Sequence, residues 1–454
     1  MIMKPNIIVF FSDQQRYDSV GAYGQELDIT PNLDYMASEG VKFENAFTCQ
    51  PVCGPARSCM QTGKYATQTE CFVNDIGLKE DETTIAKILS EQGYETAYVG
   101  KWHLASTRNE CDYSIYPVPE NKRGGYKDYW MAADVLEFTS HGYDGYVFNK
   151  DMEKVDFKGY RADKITDFAL DFLDNRNTNK PFLLFLSHIE PHHQNDRKTY
   201  EGPSGSKEEF KNYVLPEDLK GVEGDYEINY PDYLGCCKSL DYNLGRIREK
   251  LKELEIDDNT VIIYTSDHGC HFKTKNKSLP DGGLDDYKRS FYENTIRVPM
   301  IVYGPRFKGG KVVNELASLI DIPKTIVELS NQNPPEYMQG VSLLDLANNN
   351  LSRDEVFIQI SESYVGRAIR TKKYKYCIID PTKLPCEDSY SLNYEEHYLY
   401  DLENDPLERV NLIKSKEYEN VRIELREKIK KFIKDIENLD INISICQGES
   451  ECII

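Results

Sequence analysis

Cys53 is followed by Pro55, Arg57, Thr62 and Gly63, within the stretch Pro51–Tyr65. Pro55 fits the first turn of a helix, where its missing N–H costs nothing. Cys53 then sits at the mouth of a helix N-terminus, where free N–H groups and the macrodipole favour negative charge. Arg57, one turn in, carries a guanidinium fork suited to a tetrahedral oxyanion. The spacing describes a nucleophile facing an anion. A buried cysteine beside a helix cap is the plainer reading of the same residues.

Other chemistry-bearing residues follow apolar runs. Asn6–Phe11 ends in Ser12, Asp13 and Gln14; Thr260–Thr265 ends in Ser266, Asp267 and His268. Two carboxylates, an amide carbonyl and a ring nitrogen form a donor set for a divalent cation. An aspartate capping each strand–helix turn is the alternative. Glu95–Val99 runs into Gly100, Lys101, Trp102 and His103. A lysine there can neutralise a transferring oxyanion, and an imidazole can move protons near pH 7. Phe182–Leu186 leads to His188, Glu190, Pro191, His192 and His193. Six of the eight histidines (103, 188, 192, 193, 268 and 271) fall in such post-strand segments.

The elements that must position these residues alternate between strand and helix. Asn6–Phe11, Glu95–Val99, Phe182–Leu186 and Thr260–Thr265 read as buried strands. Helices are expected from Pro31 to Gly40, over Thr83–Gln92 and over Arg161–Asn175. Another is expected over Tyr233–Leu254. Such alternation implies a mostly parallel central sheet flanked by helices. Ligands of open α/β sheets bind at the carboxyl ends of the strands, so the polar clusters should converge there. Residues 105–160 read as long surface excursions, 194–230 as a polar insertion over the site, and 278–287 as an acidic loop. From about Ser352 the texture changes. Val356–Ser361, Ala368–Thr371 and Tyr374–Ile379 are strand candidates, and Glu417–Ile436 is a charged amphipathic helix. The expected division is a catalytic domain over 1–350 and a smaller C-terminal α+β domain over 351–454.

The chain has 454 residues, 40% hydrophobic and 29% charged, enough to bury a large core. Its formal net charge of -21 argues against nucleic acid or an anionic membrane as partner. No apolar run approaches the ~20 residues of a membrane span, and no secretory signal is apparent. The expected location is the cytoplasm, with the 12 cysteines as free thiols. Cys446 and Cys452 stand in a polar tail.

The Cys53–Pro55–Arg57 spacing with Thr62-Gly63 resembles the signature of the formylglycine-dependent sulfatases, members of the alkaline-phosphatase-like superfamily. Gly100-Lys101-Trp102-His103 resembles a second block of that family, Pro191-His192 a third, and Lys288 to Tyr292-Glu293 with Arg297-Val298-Pro299 a fourth. Asp321, Gln339-Gly340 and Leu399 to Pro406 extend the likeness to about residue 412. The resemblance implies oxidation of Cys53 to formylglycine by a maturing enzyme, and hydrolysis of an organic sulfate by the hydrate. It maps the metal ligands onto Asp13, Gln14, Asp267 and His268, with Ca2+ as the family's ion and Mg2+ or Mn2+ as alternatives. Many sulfatases carry Asp at the position of Gln14 and Asn at that of His268. Arg57, Lys101 and Lys288 are implied to hold sulfate. His192 is implied to protonate the leaving alcohol and His103 to take a proton from the nucleophile. A carbohydrate or aryl sulfate is the implied substrate class. Phosphonate monoester or phosphodiester hydrolysis in the same superfamily is the nearest alternative. A cysteine phosphatase would need Arg six positions after Cys53, where Cys59 stands. An acidic metal-binding protein with an unmodified thiol is the non-enzyme alternative.

Overall fold

A computed structural model describes residues 4–275 and 287–445. Cys446, Cys452 and most of the expected acidic loop, 278–286, lie outside the described residues. The first eleven strands are β1 (Asn6–Ser12), β2 (Val41–Phe47), β3 (Glu95–Lys101), β4 (Tyr129–Ala133), β5 (Asp144–Asn149) and β6 (Lys154–Lys158), then β7 (Phe182–Ser187), β8 (Thr260–Ser266), β9 (Arg297–Val298), β10 (Met300–Tyr303) and β11 (Lys311–Ser318). They form one sheet in the order β11-β2-β10-β8-β1-β7-β3-β4-β5-β6, with β9 on β2. Its centre, β8-β1-β7-β3-β4, is parallel throughout. Residues 105–160 are therefore more than surface excursions: β4 joins the parallel centre, and β5 and β6 continue it antiparallel. Their short runs, broken by Gly and Asp, hide a strand signal that pairing with β3 makes good.

Both faces of the sheet are covered, which is why the central strands read as unbroken apolar runs. Ile7, Val9 and Phe11 face one side, with the helices Cys53–Thr62, Ile85–Glu91 and Asp321–Leu329. Ile8 and Phe10 face the other, with the helices Pro31–Glu39 and Arg161–Asn175 and the long helix Tyr226–Glu253. That last helix begins seven residues before the expected Tyr233 and carries Pro231 inside it. Tyr230 and Tyr233 anchor the early turns in an aromatic cluster with Tyr200, Phe210 and Phe272. Packing of this kind outweighs the local helix-breaking tendency of proline. The same cluster draws the polar 194–230 segment onto the body of the protein.

A second sheet holds β12 (Glu355–Ile360), β13 (Val365–Thr371), β14 (Tyr374–Asp380), β15 (Asn393–Asp401) and β16 (Asn442–Ser444), in that order. The helix Glu419–Glu437 lays Leu425, Ile429, Ile433 and Ile436 on one face of it. The other face packs Val356, Ile358 and Ile360 against Phe47, Phe291, Ile296 and Leu316 of the larger unit. The fold class is thus α/β with a large helix-flanked sheet and a separate C-terminal sheet. No described helix is long and apolar enough to cross a membrane. The ten described cysteines are free thiols.

Candidate active site

Parallel register brings the polar clusters together. β1 pairs β8 from Asn6↔Thr260 to Ser12↔Ser266, so Asp13 and Asp267 leave the sheet side by side. β1 pairs β7 up to Phe11↔Ser187, and β7 pairs β3 up to Ser187↔Gly100, so Lys101 emerges in the same row. Gly100 is required at this row. Its φ is +102°, and a Cβ would meet the Ser187 carbonyl oxygen at 1.9 Å.

The helix Cys53–Thr62 enters this row end-on, and Cys53 is its first residue. All ten of its residues are buried, and Gly63 closes it in the left-handed conformation. Asn74 fixes the entry, its Oδ1 accepting from the Gly54 N–H at 2.9 Å. The Cys53 Sγ lies 3.4 Å from His268 Nε2 and 3.6 Å from Asp13 Oδ1. Lys288 Nζ donates to the sulfur at 3.2 Å and contacts His192 Nε2 at 2.9 Å. Arg57 Nη2 donates to Asp13 Oδ2 at 2.9 Å and reaches Asp267 Oδ2 at 3.5 Å, while Nη1 donates to Ser187 Oγ at 2.7 Å. Lys101 Nζ donates to the same Asp13 oxygen at 2.7 Å.

These charges act on one another. Burial pushes the Cys53 thiol up, but Lys101 and Lys288 together with hydrogen bonds from His103 and His192 bring it well below the ordinary thiol range. Burial and Cys53 raise the Asp13 carboxyl, yet Lys101, His192 and Arg57 leave it well below the carboxylate range. Asp267 moves the other way. Burial and the charge of Asp13 push it up, against a weaker pull from His268 and Arg57. Two buried carboxylates this close call for a cation between them.

The donor geometry fits that requirement. Asp13, Cys53, Asp267 and His268 each turn one ligand atom inward, all within 4.8 Å of one another and all buried. Gln14 lies on the same turn. Its N–H donates to Asp267 Oδ1 at 3.0 Å, and its side-chain carbonyl accepts from the His193 N–H at 2.9 Å.

The other histidines divide by environment. His103 sits at φ +60° directly after the Lys101 row. Asp134, at the end of β4, holds the residues that follow, accepting from the N–H groups of Leu104, Ala105 and Ser106 and from Ser106 Oγ. His192 Nδ1 faces Glu137 Oε2 at 3.9 Å. His193 lies between Asn195 and the Tyr287 hydroxyl. His188 stacks on Phe10 away from the cluster, and burial drives its pKa down to about 3. Glu293 and Arg297 make structural contacts, with Arg370 and with Glu44 respectively. Lys273 pairs with Asp225, and Lys275 lies over the Tyr292 ring.

Sequence reasoning passed over Asn74, Asp134, Glu137 and Ser187. Only Ser187 carried a signal, as the last residue before His188. Asn74 and Asp134 sit in stretches whose role becomes visible once β4 is placed beside β3.

Known proteins show the family and the fold. The sulfatase family model matches residues 5–331, and that of the C-terminal region of N-sulphoglucosamine sulphohydrolase matches residues 283–435. An ulvan-active sulfatase of Formosa agariphila is 30% identical, over 95% of this chain and 82% of its own. An arylsulfatase of Clostridium perfringens is also 30% identical, over 96% and 95%. A solved protein in complex with D-glucosamine-2-N,6-O-disulfate superposes with a TM-score of 0.75 at 24% identity, covering 96% of this chain and 99% of that one. The phosphonate monoester hydrolase of Agrobacterium radiobacter shares the fold at a TM-score of 0.67 and 20% identity, over 95% and 96%. Family model and relatives together cover nearly the whole length of the chain, which belongs to the sulfatase family, the hydrolases of sulfuric esters.

Proposed function

We propose that the chain hydrolyses a carbohydrate sulfate at residue 53. The carrying observation is the crowding of three cationic side chains, Arg57, Lys101 and Lys288, round a buried cysteine at a helix N-terminus. Such a setting suits a tetrahedral anion, and preorganised charge of this kind is usually the largest catalytic contribution.

Cys53 stands here for the precursor of formylglycine, installed by a maturing enzyme. Hydrated, that residue supplies an oxygen nucleophile. Asp13, Asp267 and His268, with Gln14, are the proposed holders of a divalent cation, Ca2+ by family precedent. When bound, that ion supplies Lewis-acid polarisation of a sulfate oxygen. Lys101 and Lys288 neutralise charge as it develops on the sulfuryl oxygens. Arg57 holds Asp13 through Nη2, and its buried Nε is left without a hydrogen-bond partner among the described residues. His192, whose Nδ1 faces Glu137 and whose Nε2 accepts from the Lys288 ammonium, relays a proton from that ammonium to the departing alcohol. His103 takes the proton that must leave residue 53.

A cleft of about 520 Å³ supports a sugar as the alcohol. It is lined by Asp75, Arg108, Asp112 and Phe138 among others. None of the described residues round Cys53 lines it; its walls are their chain neighbours, Asp75 next to the Asn74 cap and Phe138 next to Glu137. Phe138 is 58% exposed, a ring face open for stacking. Relatives include the ulvan-active sulfatase above and an N-acetylglucosamine-6-O-sulfatase of Bacteroides thetaiotaomicron at 25% identity. We also place the domain boundary near residue 350, in the Asn348–Asn350 stretch ahead of β12.

Side-by-side rates on an aryl sulfate, an aryl phosphodiester and a panel of sulfated monosaccharides test the reading. Faster turnover of sulfate esters, with a sugar sulfate best, is expected. Preference for the phosphodiester would replace it with the phosphonate and phosphodiester alternative.

A further inference from the structure

We infer that the unmodified, cysteine form of this chain is a zinc-binding protein at residue 53, with Cys53, His268, Asp13 and Asp267 as its four ligands. Sγ to His268 Nε2 is 3.4 Å, and Sγ to Asp13 Oδ1 is 3.6 Å. His268 Nε2 to Asp267 Oδ1 is 3.4 Å, and to Asp13 Oδ1 is 3.7 Å. The other pairs fall within 4.8 Å. Zinc bonds of about 2.0–2.3 Å to oxygen, nitrogen and sulfur give a tetrahedron with edges of about 3.3–3.8 Å. The four measured edges lie inside that range.

The donor types point the same way. A thiolate and an imidazole select zinc over calcium or magnesium, which prefer six or more oxygens. His268 is presented ready to bind. Its Nδ1 lies 3.0 Å from the carbonyl oxygen of Gly269, which can only accept, so Nδ1 carries a hydrogen and Nε2, which faces Cys53, is the nitrogen left to bind a metal once deprotonated. That second-shell hydrogen bond is the kind that orients zinc-ligating histidines. Asp13 is oriented similarly. Arg57 and Lys101 both hold Oδ2, which leaves Oδ1 turned to the sulfur. Lys288 donates to the same sulfur at 3.2 Å. Binding one Zn2+ releases to solvent whatever proton its ligands still hold and changes no oxidation state.

Oxidation of Cys53 removes the sulfur ligand. The cysteine and converted forms of the chain then differ in metal preference, not only in activity. The binding claim stands on this geometry alone; only its link to maturation rests on the proposed function.

The test uses the full chain produced without a maturing enzyme, with the residue 53 thiol verified by peptide mass. Metal is stripped, and CoCl2 and then ZnCl2 are added. A thiolate-to-cobalt charge-transfer band that one equivalent of zinc abolishes is expected. Chelator competition should show zinc binding weakened at least ~10-fold in both Cys53→Ser and His268→Asn, as losing an atom bound to the metal costs more than losing a hydrogen bond to one of its ligands. Thermal melting verifies that each variant is folded. Should His268→Asn fail to fold, the cobalt band and Cys53→Ser still decide. Absence of the band, or unchanged zinc affinity in Cys53→Ser, overturns the inference. Sulfatase activity is not a readout, so failure here and failure of the proposed function are separable.

Discussion

Asp13 accepts from both Arg57 and Lys101 at one oxygen, and this sharing determines what each residue can do. The carboxylate is held ionised, and Lys101 is held at the row where charge would develop on an anion. Removing the lysine leaves Arg57 to hold Asp13 but takes one donor from the anion. Lys101→Ala should therefore lower turnover of an aryl sulfate by at least ~10²-fold, in line with loss of one oxyanion donor. His103→Ala should do the same through lost proton transfer. Near-normal steady-state rates in either variant would remove that residue from its role. The identities of these residues were legible beforehand because catalytic types stood directly after apolar runs. Asp134 and Asn74 were not, since each acts through backbone N–H groups that only the folded chain brings to it.

At the scale of elements, the site depends on where β1, β3, β7 and β8 stop. Parallel pairing with an unbroken register carries Asp13, Lys101 and Asp267 to one line. Gly100 is where β3 comes closest to β7. Gly100→Ala places a methyl against the Ser187 carbonyl in a left-handed conformation, so destabilisation of about 2–4 kcal/mol is expected from steric and backbone strain together. Denaturant unfolding measures it, and an unchanged midpoint would mean the strand end is far more pliant than drawn. The four central strands were readable as apolar runs because burial on both faces removes the polar alternation. β5 and β6 were not, for their residues are largely exposed or half-buried, and neither was β4, a largely buried run of only five residues; their signal lies in pairing rather than pattern. The early start of the Tyr226–Glu253 helix was hidden by Pro231, whose local cost is outweighed by packing of Tyr230 and Tyr233.

Across the whole molecule, the two sheets are tied by a buried charge cluster. Glu293 of the larger unit meets Arg370 at 3.2 Å and Lys375 at 3.4 Å, and Lys375 also pairs with Glu408. Burial pushes Glu293 up, but Arg370 and Lys375 win and hold it at about 2, below the ordinary 4.5. A lowered folded pKa means stability that is complete above 4.5 and lost as pH falls toward 2; Glu408, which burial raises, contributes with the opposite sign. Glu293→Gln leaves two buried cations short of a partner, so a loss of about 3 kcal/mol near neutral pH and a flatter melting-temperature profile between about pH 5 and pH 3 are expected. A variant that melts like the parent throughout would show that the joint does not depend on this cluster. The change of texture near residue 352 revealed the second sheet, but not this tie, whose members are spread from 293 to 408. The proposed role of residue 53 is that of the converted nucleophile of a sulfate-ester hydrolase. It is tested most directly by measuring sulfate release per chain against the fraction of residue 53 converted from thiol to aldehyde, in preparations made with and without a maturing enzyme. Turnover proportional to the converted fraction, and none where every chain keeps its thiol, is the predicted result; full turnover from chains whose Cys53 thiol is intact would contradict it.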